Sequence, residues 1–434
     1  MQKVEQKPKH GYKVVKNYFK KEFEIPSDWN YVKYKDVLTE VDDPIVFDDD
    51  AMYKLITARR RNGGLVLREI LKGSEILTKN LFSVEKGDFI IAKMQIIHGS
   101  CGLVPASLVD AKISGSYIRF KSKKALNLEY LNWFSHTPLF YQQTFISSVG
   151  SNLEKMNFNK KHWLNHLTPV PPIDEQHKIT SILFIVDSLI RQTQKIIEQS
   201  QKLKKGLMQK LLTKGIGHTR FKKVRFLFSS LMEIPIEWER KTVGELFKLR
   251  TGGTPSRTVS EYFQGDIPWV TSTDLNRGII TNTLEKISKD AIQKAHLKIF
   301  PKGTFLIATY GLEAAGTRGK CGILELDATI NQACMAFLPS EHVLTEFLFY
   351  FYLHFGEKID FNYAQGTKQQ NLYPDTVKKI PILIPPKEEQ RSIILILSNI
   401  DSEIRAHQQY KSQLETLKKG LLQKLLTGQI RVKV

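Results

Sequence analysis

Three arginines stand in a row at Arg59, Arg60 and Arg61, followed by Asn62, Gly63 and Gly64. Guanidinium groups are the commonest readers of guanine edges, and glycine lets backbone approach a phosphate closely, so this turn has the chemistry of a DNA-contacting loop. A second such stretch combines Arg250, Thr251, Thr254 and Arg257 with Gly252, Gly253, Pro255 and Ser256. Ser272, Thr273, Asn276 and Arg277 follow the strand-like run Ile267-Pro268-Trp269-Val270, and Tyr310, Arg318 and Lys320 flank a third loop. The stretch 365–371 holds Thr367, Lys368, Gln369, Gln370 and Asn371, and paired amide donors and acceptors suit adenine. Its counterpart in the first half is 147–152, with Ser151, Asn152 and Lys155 nearby. Any one of these residues could simply sit in a solvated loop; the expectation rests on the set. Trp29, Trp238 and Trp269 are expected to anchor cores, and Cys101 and Cys321 to pack as small side chains.

Signatures of catalysis are missing. There is no phosphate loop of the GxxxxGK[ST] kind, no HExxH, no GxSxG and no kinase set. The Pro-Pro pairs at 171–172 and 385–386 follow Val170 and Ile384, so the Asn/Asp-Pro-Pro-aromatic pocket of adenine methyltransferases is absent. Pro374-Asp375 is not followed by an acidic-x-Lys element, so a nuclease centre is not indicated. Asp42-Asp43 and Asp48-Asp49-Asp50 read as solvated loop carboxylates and not as a metal site.

Bulk composition agrees. The chain has 434 residues, 64 Lys+Arg against 44 Asp+Glu and a formal charge of +20, which favours a polyanionic partner. Its three cysteines form no CxxC pair, which argues against a zinc ribbon or disulfide framework and fits a reducing cytoplasm. The N-terminal 21 residues are polar and Lys-rich, unlike a secretory leader. The apolar stretch 181–186 is too short to span a bilayer. The expectation is double-stranded DNA as partner, no membrane, and neither metal nor cofactor in this chain.

The elements that must carry these loops show themselves as a repeat. Residues 204–213 read KKGLMQKLLT and residues 418–427 read KKGLLQKLLT, nine of ten identical at an offset of 214. The same offset carries Pro171-Pro172 onto Pro385-Pro386, Glu175-Gln176 onto Glu389-Gln390 and Asp187 onto Asp401. Upstream, Ile25-Pro26-Ser27-Asp28-Trp29 matches Ile234-Pro235-Ile236-Glu237-Trp238, and 86–92 matches 302–308. The stretches 99–102 and 110–113 likewise match 319–322 and 327–330. Each half is therefore one globular region followed by one helix, with 40–80 and 250–295 diverging. Strand-like runs at 87–94 and 303–309 and helix-like runs at 128–143 and 344–356 predict α/β (α+β) globular regions.

The helices are read at 174–212 and 388–426. In the first, Ile179, Val186, Thr193, Ser200 and Leu207 fall seven apart, and Ile182, Leu189, Ile196 and Leu203 form a second stripe. The equivalents are Ile393, Ile400, His407, Leu414 and Leu421, with Ile396, Glu403, Tyr410 and Leu417. Sustained 3-4 spacing predicts a coiled-coil seam, and the intervening globular region predicts antiparallel packing of the two helices on each other. At 1.5 Å per residue each helix would span roughly 58 Å. Gly215-Ile216-Gly217 and Gly428 supply the stops.

The repeat, the paired heptad helices, the doubled GL(M/L)QKLLT ends and the Ile-Pro-x-(Asp/Glu)-Trp entries resemble the specificity subunit of Type I restriction–modification enzymes. Gly253-Thr254-Pro255-Ser256, Ile267-Pro268-Trp269-Val270 and Asp274 resemble the opening of one class of target recognition domain. The resemblance covers nearly the whole chain. It implies a target recognition domain at 1–172 including the N-terminal segment, a conserved helix at 173–215, a second recognition domain at 216–386, and a second helix with tail at 387–434. It further implies a non-catalytic subunit with a pseudo-two-fold internal repeat. Such a subunit would read a bipartite, asymmetric DNA site across an unread spacer, with the helix pair as ruler. Two modification subunits would use S-adenosylmethionine, and two restriction subunits would use ATP and Mg²⁺. The competing readings are a self-contained DNA-cutting or DNA-modifying enzyme with a cryptic site, and an adaptor that binds only protein.

Overall fold

The Ile-Pro-x-acid-Trp motif closes a β-hairpin in each half. In the first half β1 (Tyr12–Lys16) pairs antiparallel with β2 (Glu22–Pro26), and the buried Trp29 follows. The structure is a computed structural model that describes residues 8–18, 20–123, 125–227, 230–314 and 316–433. Residues 1–7 and Phe19 of the Lys-rich N-terminal stretch lie outside the described residues. The chain divides into two units, unit 1 comprising 1–194 with 409–434 and unit 2 comprising 195–408.

Unit 1 continues with β3 (Asn30–Lys33), the single turn α1 (Tyr34–Val37), β4 (Leu38–Glu40), β5 (Met52–Ala58), β6 (Leu65–Lys72), β7 (Leu81–Ser83), β8 (Phe89–Ala92), β9 (Cys101–Leu103), β10 (Lys112–Ser114) and β11 (Tyr117–Ser122). One sheet has the order β4-β11-β8-β9, and a second has the order β6-β5-β10-β7. Then come α2 (Leu128–Phe134), α3 (Pro138–Ile146), the short pair β12 (Ser148–Val149) and β13 (Asn157–Phe158), α4 (Lys160–Leu164), β14 (Leu167–Val170) and the long α5 (Ile173–Lys214). The helix-like run at 128–143 is thus two helices. Thr137 caps the second through its hydroxyl and Pro138 occupies its first turn, where proline starts a helix and cannot continue one.

Unit 2 repeats the order. The β15 (Phe221–Phe226) and β16 (Ser230–Pro235) hairpin leads to β17 (Glu239–Thr242), α6 (Val243–Leu246) and β18 (Leu249–Thr251). The divergent part holds β19 (Ile267–Val270), β20 (Gly278–Ile280), β21 (Glu285–Ile287) and α7 (Lys289–Lys294). The frame resumes with β22 (Phe305–Ala308), β23 (Cys321–Leu324), β24 (Thr329–Ile330), β25 (Cys334–Phe337), α8 (Thr345–Tyr363), α9 (Pro374–Val377), β26 (Pro381–Ile384) and α10 (Lys387–Leu425). The main sheet is β18-β25-β22-β23-β20, which is the unit 1 order with one strand added. Registers match too: Phe89 faces Leu103 and Phe120, and Phe305 faces Ile323 and Phe337. The central strands β8 and β22 are buried at every position, which explains their unbroken apolar runs.

The duplicated Glu-Gln pair ties each globular part to its helix. The Gln176 side chain donates to Pro171 O (2.8 Å) and Ala125 O (3.0 Å) and accepts from Asn127 N (2.7 Å). Gln390 does the same with Pro385 O (2.9 Å), His342 O (2.9 Å) and Leu344 N (2.9 Å). Both amides are fully buried, and each satisfies three backbone groups, one of them, Pro171 O or Pro385 O, in a fully buried bond. Beside them, the Trp29 indole donates to Glu175 and the Trp238 indole to Glu389, each at 2.9 Å. The charge balance differs. Arg431 neutralises Glu175 and Asp28 in unit 1, whereas His218 bonds Glu389 and Glu237 in unit 2.

The long helices pack antiparallel inside each unit. In unit 1, Lys418 of α10 bonds Asp187 of α5 at 2.5 Å; in unit 2, Lys204 of α5 bonds Asp401 of α10 at 2.5 Å. These are the same pair in repeat numbering with the helices exchanged. Each lysine also lies over an aromatic ring, Trp133 at 5.0 Å and Tyr350 at 5.5 Å.

The buried stripe corrects the expected seam. Ile179, Val186, Thr193, Ile393 and Leu414 are buried, Leu207, Ile400 and Leu421 are partly so, and the second stripe lies one residue further on than expected. Leu183, Ile197, Leu397 and Ile404 face inward, whereas Ile196, Leu203, Ile396 and Leu417 are exposed and Ile182 and Leu189 only half-buried. The sequence is apolar at both registers, as in Ile182-Leu183 and Ile196-Ile197, so periodicity alone could not choose between spacings of three and four. The ion pairs of Lys204 and Lys418 sit on the chosen stripe. Leu183→Ala is therefore expected to cost about 3 kcal/mol, and Leu203→Ala less than about 0.5 kcal/mol, measured by urea unfolding. Equal losses would return the seam to its expected register.

Candidate nucleic-acid interface

Strand direction decides where the loops of unit 2 emerge. β18, β19, β22 and β24 end, and β20, β23 and β25 begin, at one edge of the strands. Backbone bonds stitch the emerging segments together: Gly253 N to Ile330 O (3.1 Å), Asn331 N to Val270 O (2.9 Å), Thr309 N to Ala333 O (2.8 Å), Arg277 N to Cys321 O (2.9 Å) and Leu372 N to Thr309 O (2.8 Å). The consequence is that Arg250, Thr251, Thr254, Ser272, Thr273, Asn276, Arg277, Tyr310, Arg318, Lys320 and Gln370, drawn from five sequence regions, share one rim. Thr367, Lys368 and Gln369 are exposed at the tip of the adjoining turn, whose base is the Gln365–Asn371 bridge.

Side chains on this rim are held in place. Arg257 forms two bonds to Glu285 and lies over the Phe263 and Trp269 rings at 4.2 and 5.1 Å. Arg277 donates to Glu357 and to Arg318 O, both at 2.6 Å. Arg318 donates to Gln370 at 2.9 Å and covers the Phe361 ring at 5.2 Å. The Thr254 hydroxyl bonds Gln332.

Under the Arg318-Gly319-Lys320 turn lies Asp360, fully buried, accepting from Gly319 N (2.7 Å) and the Tyr352 hydroxyl (2.5 Å). Gly319 has φ +70° and its α-carbon faces α8 so closely that a β-carbon would meet Glu357 at 3.1 Å, so any other residue would be strained here. Burial pushes the Asp360 carboxyl up to about 6 against the hydrogen bonds and nearby arginines that pull it down. A carboxyl whose folded value is raised stabilises the fold below its ordinary value, near 4, and loses that contribution as pH rises through about 6. Raising pH from 5 to 7.5 is expected to lower unit 2 stability through this group by on the order of 1 kcal/mol, and Asp360→Asn to flatten that dependence. Parallel pH profiles for the two proteins in urea unfolding would contradict it.

Unit 1 assembles its own rim at the end of β8. The Arg59–Gly64 turn docks on the 95–99 loop through Arg61 N to His98 O (2.6 Å) and Asn62 N to Gly99 O (3.0 Å). Arg61 and Asn62 both take positive φ, at 58° and 53°. Arg60 donates to Gln95 at 2.8 Å and pairs with Glu154, which brings Asn152 and Lys155 to the same place. Asn152 caps that segment through Glu154 N at 3.0 Å. Arg59, Ser151 and Lys155 are exposed. A cavity of about 630 Å³ opens between Arg60, Arg61, His98, His136, Tyr141 and Glu154.

Gln95, His98, Asn331 and Gln332 join these rims without having been singled out in the sequence. Asn331-Gln332 directly follows the matched block 327–330, and that position was the available signal. The three tryptophans are buried as expected. Burial pushes the Cys101 and Cys321 thiols up to about 12 and Cys334 higher, so all three are packing groups. Lys79 and Lys72 pair with Asp49 and Asp50 on the surface. Among the described residues no helix is long and apolar enough to cross a membrane.

Known proteins carry the same design. The Type I restriction modification DNA specificity domain matches this chain twice, at residues 26–201 and 235–416. The MjaVIII specificity subunit of a Type I restriction enzyme from Methanocaldococcus jannaschii is 27% identical over 94% of both chains. A chain from a structural study of complex assembly and conformational transition of the type I R-M system aligns with TM-score 0.58 at 16% identity, over 94% of this chain and all of the other. The S subunit of a Type I restriction-modification system from M. genitalium aligns with TM-score 0.56 at 14% identity, over 92% and 96% of the two chains. The doubled match spans well over half the sequence and coincides with the two repeated frames, so the chain belongs to the Type I restriction modification DNA specificity domain family.

Proposed function

We propose that this chain is the DNA-reading subunit of a Type I restriction–modification enzyme, each unit reading one half of a bipartite site with its own rim. The observation that carries this reading is the convergence, on a duplicated frame, of arginine, hydroxyl and amide side chains from distant segments onto one strand edge per unit. Rim residues differ between units, so the half-sites differ.

The reading residues proposed are those of the two rims, Arg59 to Asn62 with Ser151, Asn152 and Lys155 in one, and Arg250, Thr251, Thr254, Arg257, Ser272, Thr273, Asn276, Arg277, Tyr310, Arg318, Lys320 and Thr367 to Gln370 in the other. Modification and restriction subunits supply the chemistry together with S-adenosylmethionine, ATP and Mg²⁺. The exposed apolar stripe of the helices supports a docking role. Unit 2 presents Ile196, Leu203 and Ile396, and unit 1 presents Tyr410 and Leu417 at repeat-equivalent places, one face for each of two modification subunits. Methylome sequencing of a host carrying this chain with its modification partner tests the reading. A split motif with two unlike halves is expected; methylation without a split motif refutes it.

A further inference from the structure

The arginines of the rims are not all offered to solvent. Arg60 is paired with Glu154, Arg257 with Glu285 and Arg277 with Glu357. The pairs join segments 94, 28 and 80 residues apart, yet the three glutamates keep 55%, 36% and 66% of their side-chain surface exposed. Exposed pairs of this kind add little stability, so stapling the loops is a weak account of three of them on two unrelated rims. The same arginines lower Glu154 and Glu285, which are held as carboxylates.

A carboxylate offers an arginine two acceptors side by side. The O6 and N7 edge of guanine offers the same arrangement, whereas attraction to a phosphate needs only proximity of charge. Arg257 displays this geometry most fully, with both terminal nitrogens on Glu285 and its guanidinium plane fixed over two rings.

Resting on the DNA-reading role above, we propose that Glu154, Glu285 and Glu357 are specificity-determining residues that occupy Arg60, Arg257 and Arg277 until a correctly placed pair of base acceptors displaces them. Each glutamate cancels the phosphate attraction of its arginine on non-cognate DNA and repels the backbone. On the cognate site base acceptors take the place of the carboxylate, two for two at Arg60 and Arg257 and at the single Glu357 contact of Arg277, and restore the lost contact. Arg59, Arg61 and Arg250 form no such ion pair among the described residues and remain available to phosphates.

The test uses the full chain with its modification partner and two fluorescent duplexes, one carrying the motif found by methylome sequencing and one scrambled. Glu154→Gln, Glu285→Gln, Glu357→Gln and the triple variant keep side-chain shape and remove charge. Binding to the scrambled duplex is expected to tighten roughly three- to tenfold per substitution at about 0.1 M salt, with a log–log salt slope steeper by about one. Binding to the motif duplex changes less, so the ratio falls. A preserved ratio overturns the proposal. So does loss of motif binding together with a lowered melting temperature, which marks a staple. A wild-type complex that does not distinguish the duplexes sinks the DNA-reading role and this inference together.

Discussion

Gln390→Ala is expected to destabilise unit 2 by about 3 to 5 kcal/mol, a large share of what holds a domain of this size together. The side chain is fully buried and satisfies Leu344 N, His342 O and Pro385 O at once. Its removal leaves buried Pro385 O without this partner and takes the same bond from part-buried Leu344 N and His342 O, at roughly 1 to 3 kcal/mol each. Gln176→Ala is expected to do the same to unit 1, because its three partners are the repeat equivalents. Urea unfolding followed by limited proteolysis reads both effects and assigns each to its unit. A loss under 1 kcal/mol would show that the amide is a bystander. The conservative Gln390→Glu is no rescue, since a carboxylate cannot donate to the two carbonyls.

Inserting one heptad into both helices, after Gln194 in α5 and after Gln408 in α10, is expected to lengthen the unread spacer by about three base pairs. Seven residues add about 10.5 Å of helix, and base pairs stack at about 3.4 Å. A heptad keeps Leu183, Ile197, Leu397 and Ile404 on one stripe, so the seam survives, and neither rim is touched. Methylome sequencing of the variant is expected to return the same two half-sites further apart. An unchanged spacer refutes the ruler while leaving the reading heads standing. Insertion into α5 alone mismatches the seam and is expected to abolish modification.

What could be read from the sequence was whatever repeats or alternates. The doubled Glu-Gln, Ile-Pro-x-acid-Trp and KKGL(M/L)QKLLT blocks placed the helices and the strands β8 and β22 within a few residues. The seam was half legible: heptads located Ile179 and Val186, but Ile182-Leu183 offers an apolar side chain in either register, and only the partner helix decides. The rims were legible as a set of loop residues and not as a surface. Nothing in linear order says that Arg277, Arg318 and Gln370 meet, because their meeting depends on β20 lying beside β23 and on the 365–371 turn folding back on Thr309. Gln95 and His98 carried no signal at all, since their placement follows from where the Arg59–Gly64 turn docks.

The C-terminal tail has a consequence for how the molecule is made. Arg431 supplies the counter-charge to buried Glu175, Gly428 O accepts from the Tyr12 hydroxyl at 2.6 Å, and Leu425 and Leu426 fill the core of unit 1. Unit 2 leaves the ribosome as one uninterrupted stretch and has all its residues once Gln408 emerges. Unit 1 begins translation first and finishes assembly last, holding an incomplete core throughout synthesis of its twin. Chains truncated after residue 408 and released are expected to resist protease across 195–408 and to be cut within 8–194; protection of both stretches at that length would contradict this order.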